Sequence, residues 1–305
     1  MAELPSHGPD SRDGTVYDMP ADLTLAIKVA VATNRPLLLS GDPGSGKSSL
    51  APYWARENDL RYYEYVVTSR TQATDLLWTF DSVRRLADAQ AHRGRLNDAD
   101  YIVPGVLWWS LAPESARTRG GLLSARHHHD PMERFYRREL TKGAVVLIDE
   151  IDKADPDVPN SLLVPLGSHE FTVWETGTLV RRETDTEAPL IVITTNGERD
   201  LPPAFVRRCV TFTLPSPTPD SLVHIAQLHL QHEGVEIDDA MMEVAIALAD
   251  ELMQVRTSGV GDCQRLPSTA EYLDALRACR TLGIAPGHPH WQLLRSLTLA
   301  KPTER

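Results

Sequence analysis

The stretch that decides the fold is Gly41-Asp42-Pro43-Gly44-Ser45-Gly46-Lys47-Ser48, which follows the pattern G-x-x-x-x-G-K-[ST] of a loop that wraps nucleotide phosphates. Apolar residues 36–39 lead into it and residues 49–51 continue it, so we expect a buried strand before the loop and a helix after it. The glycines let backbone N–H groups turn toward phosphate oxygens, and the helix N-terminus adds partial positive charge. We assign Lys47 to the β- and γ-phosphates and the Ser48 hydroxyl to Mg²⁺. The predicted nucleotide-binding residues are Gly41, Asp42, Pro43, Gly44, Ser45, Gly46, Lys47, Ser48 and Ser49.

The composition is that of an ordinary globular chain of about two domains, with 305 residues, 42% of them apolar and 24% charged. A net charge of −11 disfavours a broad, unspecific contact with nucleic acid, which needs a basic face, although a local basic patch stays possible. Nucleic acid is therefore an unlikely partner on this evidence.

The remaining global features favour a cytoplasmic protein. Residues 1–14 are polar and lack the architecture of a signal peptide, so we expect a disordered tail over 1–15. No apolar segment approaches the ~20 residues of a membrane span. The cysteines, Cys209, Cys263 and Cys279, are odd in number and far apart, which suits a reducing compartment and small buried side chains and gives no metal pattern.

Short apolar runs separated by helical segments predict an α/β core with a parallel sheet covered on both faces. We expect a helix over 21–32 and five strands, over 36–39, 62–67, 143–148, 189–194 and 210–214. After the proline-rich break at 215–219, helical patterns over 221–232, 239–255 and 269–282 predict a small all-helical domain. The predicted domains are thus an α/β core over 16–215 and a helical lid over 216–300.

Two acids and an amide follow the third and fourth predicted strands. Asp149 and Glu150 come directly after one buried run, and Asn196 comes after the other. The carboxyl ends of parallel strands meet at one edge of a sheet, where open α/β sheets bind ligands. We therefore predict that Asp149 holds Mg²⁺, that Glu150 polarises the attacking water, and that Asn196 helps to orient that water.

These segments resemble the AAA+ ATPases, and in particular their MoxR-like branch, which has P-loop NTPase cores. The resemblance rests on LLLSGDPGSGKSSLA, GAVVLIDEIDKAD, LIVITTN, LPPAFVRRC and RLPSTAEYLDALRA, and spans most of the chain from Val16. It implies a five-stranded core, a helical lid and a homo-oligomeric ring, usually a hexamer, with ATP and Mg²⁺ at each subunit boundary. It also implies that Asn196 is sensor 1 and that Arg208, with Arg207 as the alternative, is an arginine finger.

Three further features bear on that branch. Residues 68–126 are too long for a simple connection and match its insert, and strands over 170–175 and 179–183 predict a hairpin within 168–189. Sensor 2 stays unassigned, because Ala270 stands where relatives carry an arginine, while Arg265 and Arg277 are possible substitutes.

Two other clusters have simpler explanations. The loop 127–130 reads His-His-His-Asp, but consecutive residues cannot easily all face one ion, so we expect a solvated loop. Trp108 and Trp109 could anchor a partner, but large aromatic side chains are mostly buried, so core packing is favoured.

The leading interpretation is a Mg²⁺-dependent ATPase that remodels or assembles a protein partner. By the resemblance, that partner could carry a von Willebrand A domain. The alternatives are a nucleotide-gated assembly switch, of the kind found in bacterial conflict systems, and a DNA-associated motor of the restriction type that could prefer GTP.

Overall fold

The computed structural model describes residues 14–91, 96–120, 131, 143–183, 186–258 and 267–299. By their internal contacts these residues form two compact units. One unit contains the described residues of 1–20, 41–53 and 214–305, and the other those of 21–40 and 54–213. The tail before Gly14, the loop 127–130, Cys263 and Arg265 lie outside the described residues.

The strands, in chain order, are β1 (Leu37–Ser40), β2 (Arg61–Val66), β3 (Trp78–Phe80), β4 (Ile102–Pro104), β5 (Ala144–Asp149), β6 (Glu170–Val173), β7 (Thr178–Arg181), β8 (Leu190–Thr194) and β9 (Val210–Thr213). The helices are α1 (Ala21–Thr33), α2 (Lys47–Glu57), α3 (Ala73–Leu77), α4 (Ser82–Gln90), α5 (Val106–Leu111), α6 (Pro113–Thr118), α7 (Asp157–Ser168), α8 (Pro203–Val206), α9 (Pro219–His232), α10 (Asp239–Ser258), α11 (Thr269–Leu282) and α12 (Trp291–Thr298). Two short 3-10 helices lie at Asp98–Tyr101 and Ile151–Lys153.

The central sheet has five strands, all parallel, in the order β2-β5-β8-β1-β9. Each of the five predicted strands is present within one residue of its expected bounds. β5 and β8 are buried along their whole length, as expected of parallel strands covered on both faces. Because all strands run the same way, one edge of the sheet carries Asp149 at the end of β5 and Thr194 at the end of β8, and the chain leaves β1 into Gly41 there.

The predicted insert and hairpin pack on each other in the same unit. β3 pairs with β4 and β6 pairs with β7, both antiparallel. The Trp78 ring stacks on Phe171 at 5.7 Å, and the Trp108 ring meets Phe171 edge-on at 5.9 Å. Trp108 is 0% exposed and Trp109 2% exposed, which confirms that both are core residues.

The C-terminal helices have a hydrophobic core of their own, formed by α9 to α12. Tyr272 on α11 is fully buried there and donates its hydroxyl proton to the Ala245 carbonyl of α10 at 3.0 Å. The predicted helices correspond to α9, α10 and α11. The fourth helix, α12, was not predicted.

The prediction that the cysteines are small buried side chains is met at the two that the structure describes. Cys209 and Cys279 are buried, and burial raises the pKa of each thiol to about 11. Within the described ranges, no helix combines the length and apolarity needed to cross a membrane. The predicted domain boundaries at 15/16 and 215/216 stay predictions.

Candidate functional site

The loop after β1 depends on glycine. Gly41, Gly44 and Gly46 have φ values of 147°, 74° and 90°, which side-chain-bearing residues rarely adopt. A Cβ atom on Gly44 would also lie 2.0 Å from the Cβ atom of Ser268. No residue other than glycine fits there without moving the backbone.

Lys47 and Ser45 give this loop the character of an anion site. Lys47 is 5% exposed, and its Nζ atom donates to the carbonyl oxygens of Gly41 and Asp42, each at 2.8 Å. The Ser45 hydroxyl is buried and has no hydrogen-bond partner among the described residues. A buried ammonium and an unsatisfied hydroxyl inside a glycine-rich loop suit a ligand with phosphate oxygens.

Asp42 joins the loop to two later segments of its unit. Its Oδ2 atom accepts hydrogen bonds from Ser216 Oγ at 2.5 Å and from Arg256 Nη2 at 2.7 Å. Arg256 lies in the last turn of α10, and its side chain is only 8% exposed. The loop is also contacted at Gly44, whose carbonyl accepts the backbone N–H of Thr269 at 3.4 Å.

In the other unit, Thr194 holds the two acids that follow β5. Asp149 is 1% exposed, and its Oδ1 atom accepts the Thr194 hydroxyl proton at 2.6 Å. The same hydroxyl oxygen accepts the backbone N–H of Glu150 at 2.9 Å. Glu150 has a φ of 60°, a left-handed conformation that costs a non-glycine residue energy and is found preferentially at functional sites. One threonine thus orients both acids.

The Glu150 carboxylate has a partner on each oxygen. Oε2 accepts from Lys153 Nζ at 2.6 Å, and Oε1 accepts from Asn196 Nδ2 at 3.4 Å. The hydrogen bond to Glu150 raises the pKa of Lys153, and burial opposes that shift. The structure therefore brings together Asp149, Glu150 and Asn196, as the sequence predicts, and adds Lys153 to them.

Asp152 supports the segment that carries Asn196. Its Oδ2 atom accepts the backbone N–H groups of Asn196 at 3.2 Å and Glu198 at 2.9 Å. Its Oδ1 atom is buried without a hydrogen-bond partner in the described part of the chain. The position of the predicted water-orienting amide thus depends on an acid two residues beyond Glu150.

Arg208 lies away from these acids. It precedes β9, so it is at the amino edge of the sheet, whereas Asp149 and Glu150 are at the carboxyl edge. A strand of four residues spans about 13 Å at ~3.3 Å per residue, which is more than one side chain can bridge. Arg208 is exposed and lines a cavity of about 240 Å³ together with Arg35, Phe205 and Cys209.

Sequence reasoning did not single out Thr194, Asp152, Lys153 or Arg256. Thr194 stands two residues before Asn196 at the end of a strand, which places both side chains on the same side and is a readable signal. Asp152 and Lys153 lie inside the quoted motif but received no role. Nothing local marks Arg256, because its partner Asp42 is 214 residues away.

Comparison with known proteins identifies the family. Residues 36–209 match the AAA domain of the dynein-related subfamily. No curated protein gives a significant match. Among solved structures, a mutant of Thermotoga maritima RuvB aligns with a TM-score of 0.42 and 17% identity, over 86% of this chain and 68% of that chain. The Thermotoga maritima RuvB Holliday junction branch migration motor gives a TM-score of 0.40 and 17% identity, over 86% and 67%. The family match covers more than half of the residues, so the chain belongs to the AAA domains of the dynein-related subfamily and is an AAA+ ATPase.

Proposed function

We propose that this ATPase uses ATP and Mg²⁺ to remodel or assemble a protein partner, as a member of the MoxR-like branch that works as a ring. The observation that carries the proposal is the arrangement around Thr194, which orients Asp149 and Glu150 together beside Asn196. Polar side chains that converge at the carboxyl edge of a parallel sheet are suited to a ligand at that edge.

Each residue has a distinct role in this proposal. Lys47 neutralises charge on the β- and γ-phosphates, and the glycine-rich loop donates backbone N–H groups to them. Glu150 accepts a proton from the attacking water, while Asn196 keeps that water and the Glu150 carboxylate correctly placed relative to each other. Positioning and charge stabilisation of this kind account for most of the catalysis of phosphoryl transfer.

The donors suit Mg²⁺. Ser48 and Asp149 offer a hydroxyl and a carboxylate oxygen, the hard ligands that Mg²⁺ prefers, and Thr194 already fixes the Asp149 carboxylate. Within the described residues there is no group of three or more His, Cys, Asp or Glu side chains that could hold a metal. Mg²⁺ is usually bound by one or two carboxylates together with the substrate phosphates. When bound, Mg²⁺ would neutralise charge on the phosphate oxygens.

We propose that Arg208 acts on the nucleotide of a neighbouring copy. AAA+ ATPases commonly assemble into rings. The Arg208 guanidinium is exposed at the amino edge of the sheet, and no hydrogen bond or ion pair engages it within the described ranges. An exposed arginine that cannot reach the catalytic acids of its own chain is available to a second chain. The ring of this proposal is hexameric, and its location is cytoplasmic.

Client contact belongs, in this proposal, to the hairpin of β6 and β7 and to the insert. Trp174, next to the hairpin turn, is 84% exposed, and large exposed aromatic residues often anchor interfaces. A protein with a von Willebrand A domain is one client suggested by the MoxR-like resemblance.

The proposal is tested by measuring phosphate release from ATP and from GTP, with and without duplex DNA, for purified protein. We expect turnover of ATP that DNA does not change. Turnover that requires DNA, or that occurs only with GTP, would favour the restriction-type motor instead.

One observation favours the second candidate, a nucleotide-gated assembly switch with slow turnover. The Glu150 carboxylate is held by Lys153 at 2.6 Å, so the proposed base is engaged by a cation. If that contact restrains turnover, Lys153→Met should raise the rate of ATP hydrolysis several-fold, while Lys28→Met, at an exposed position of α1, should leave the rate unchanged. An unchanged rate in Lys153→Met would remove the support for the switch.

A further inference from the structure

One buried arginine of the helical region forms an ion pair with the phosphate loop. Among the described residues, α9 to α12 carry four arginines: Arg256, Arg277, Arg280 and Arg295. Arg277 and Arg280 pair with Glu233, and Arg295 pairs with Glu251, all within the helical region. Only Arg256 of these four has an ion pair with the loop.

Burial shows that the Arg256 contact is specific. The Arg256 side chain is more than nine-tenths buried, whereas Asp42 is 45% exposed. A buried guanidinium loses its hydration and needs charged or polar partners to compensate, and Asp42 supplies a full charge at 2.7 Å. Arg256 also stands in the last turn of α10, where the helix dipole favours a cation.

Asp42 links Arg256 to Lys47, the lysine that we assign to the nucleotide phosphates. Its side chain accepts from Arg256 and from Ser216, and its backbone carbonyl accepts from Lys47. A phosphate that draws Lys47 away from the loop carbonyls therefore acts on the same residue that Arg256 holds. The loop, the segment before α9 and the end of α10 thus share one residue.

We infer that Arg256 is a positioning residue that holds the phosphate loop in its nucleotide-binding shape through Asp42, and so couples nucleotide binding to the helical region. The inference rests on the proposed nucleotide site and deepens it. It assigns the coupling to Arg256 on α10. On α11, Ala270 occupies the place where many relatives carry an arginine.

The test compares Arg256→Met, which keeps the apolar stem, Arg256→Lys, which keeps the charge, and Arg280→Met, a matched control that is paired with Glu233 within the helical region. Hydrogen exchange is measured without nucleotide and with ATP, alongside the Kd for ATP. We expect Arg256→Met to speed exchange of the amides of residues 41–49 without nucleotide and to raise the Kd about tenfold, the effect of one lost charge-assisted hydrogen bond. Arg256→Lys should recover part of both effects, and Arg280→Met should behave as wild type.

Amide exchange in the helices measures the coupling between ATP binding and the helical region. In wild type, ATP should slow exchange in α10 and at the start of α11, and in Arg256→Met that protection should be confined to the loop. If Arg256→Met keeps wild-type loop exchange without nucleotide, the inference is overturned even when ATP binding stands. If the wild type shows no ATP binding, the proposed function fails. The exchange rates of the loop amides in wild type and Arg256→Met, compared without nucleotide, still test whether Arg256 stabilises the loop.

Discussion

The strained backbone of Glu150 indicates how the two proposed active-site acids are positioned. A left-handed glutamate costs about 1–3 kcal/mol and persists only where its surroundings fix it. Thr194 does so with one hydroxyl, which donates to Asp149 and accepts from the Glu150 amide. Lys153 and Asn196 then fix the carboxylate. Three residues, Thr194, Lys153 and Asn196, thus define the geometry of the proposed general base.

Thr194→Val keeps the shape of the side chain and removes its hydroxyl, so both acids lose their shared partner. We expect kcat to fall about 10- to 100-fold, because misplaced catalytic groups lose most of their effect, with little change in KM for ATP. Steady-state phosphate release measures both. Thr211→Val, on the edge strand β9, is the matched control and should keep wild-type rates. A rise in KM at constant kcat would place Thr194 in nucleotide binding instead.

At the scale of elements, the strands could be predicted and the contacts between distant segments could not. Runs such as 143–148 and 189–194 are apolar on both faces, and this pattern is characteristic of strands in the middle of a parallel sheet. The helix α12 is short and follows a proline-containing turn. Its two buried residues, Trp291 and Leu294, are too few to reveal a helical period in the sequence. The Arg256 contact depends on tertiary packing, which local patterns do not encode.

The insert is fixed to the sheet by a buried arginine that the sequence also did not reveal. Arg61, the first residue of β2, is 3% exposed and donates to the carbonyl oxygens of Trp109 at 2.8 Å and Ser110 at 3.3 Å. These carbonyls end α5, so one side chain joins the insert to an edge strand of the sheet.

Arg61→Met should therefore lower the free energy of unfolding by about 3 kcal/mol, because buried carbonyl groups lose charged hydrogen-bond donors. Arg181→Met removes an exposed ion pair with Glu170 on the hairpin and should cost less than about 1 kcal/mol. Urea unfolding followed by circular dichroism measures both variants. Equal midpoints would show that Arg61 does not secure the insert.

At the scale of the whole molecule, the sheet separates Arg208 from the acids of its own chain. The topology makes this separation, because β9 is parallel to β1 and Arg208 precedes it. The sequence motif could suggest an arginine finger by resemblance. The parallel pairing of β9 with β1 shows that Arg208 stands at the amino edge of the sheet, opposite the edge with Asp149 and Glu150.

Arg208→Ala should keep ATP affinity and lose about 10³- to 10⁵-fold in turnover, the range known for such arginines. Mixing it with Lys47→Ala should restore part of the activity, because some interfaces then pair an intact loop with an intact arginine. Native mass spectrometry shows whether both variants share one ring. Mixed rings without recovered activity would argue against action across the interface, and Arg207→Ala provides the comparison with the adjacent arginine.

The most direct test of the account is phosphate release by wild type and by Glu150→Gln, measured beside ATP affinity by calorimetry. The amide keeps the size of the side chain and removes the carboxylate that we propose as the proton acceptor. We predict equal ATP affinity and a loss of hydrolysis of at least about 100-fold, the lower range for removal of a general base. Hydrolysis by Glu150→Gln at the wild-type rate would contradict the assignment of Glu150 as the catalytic base.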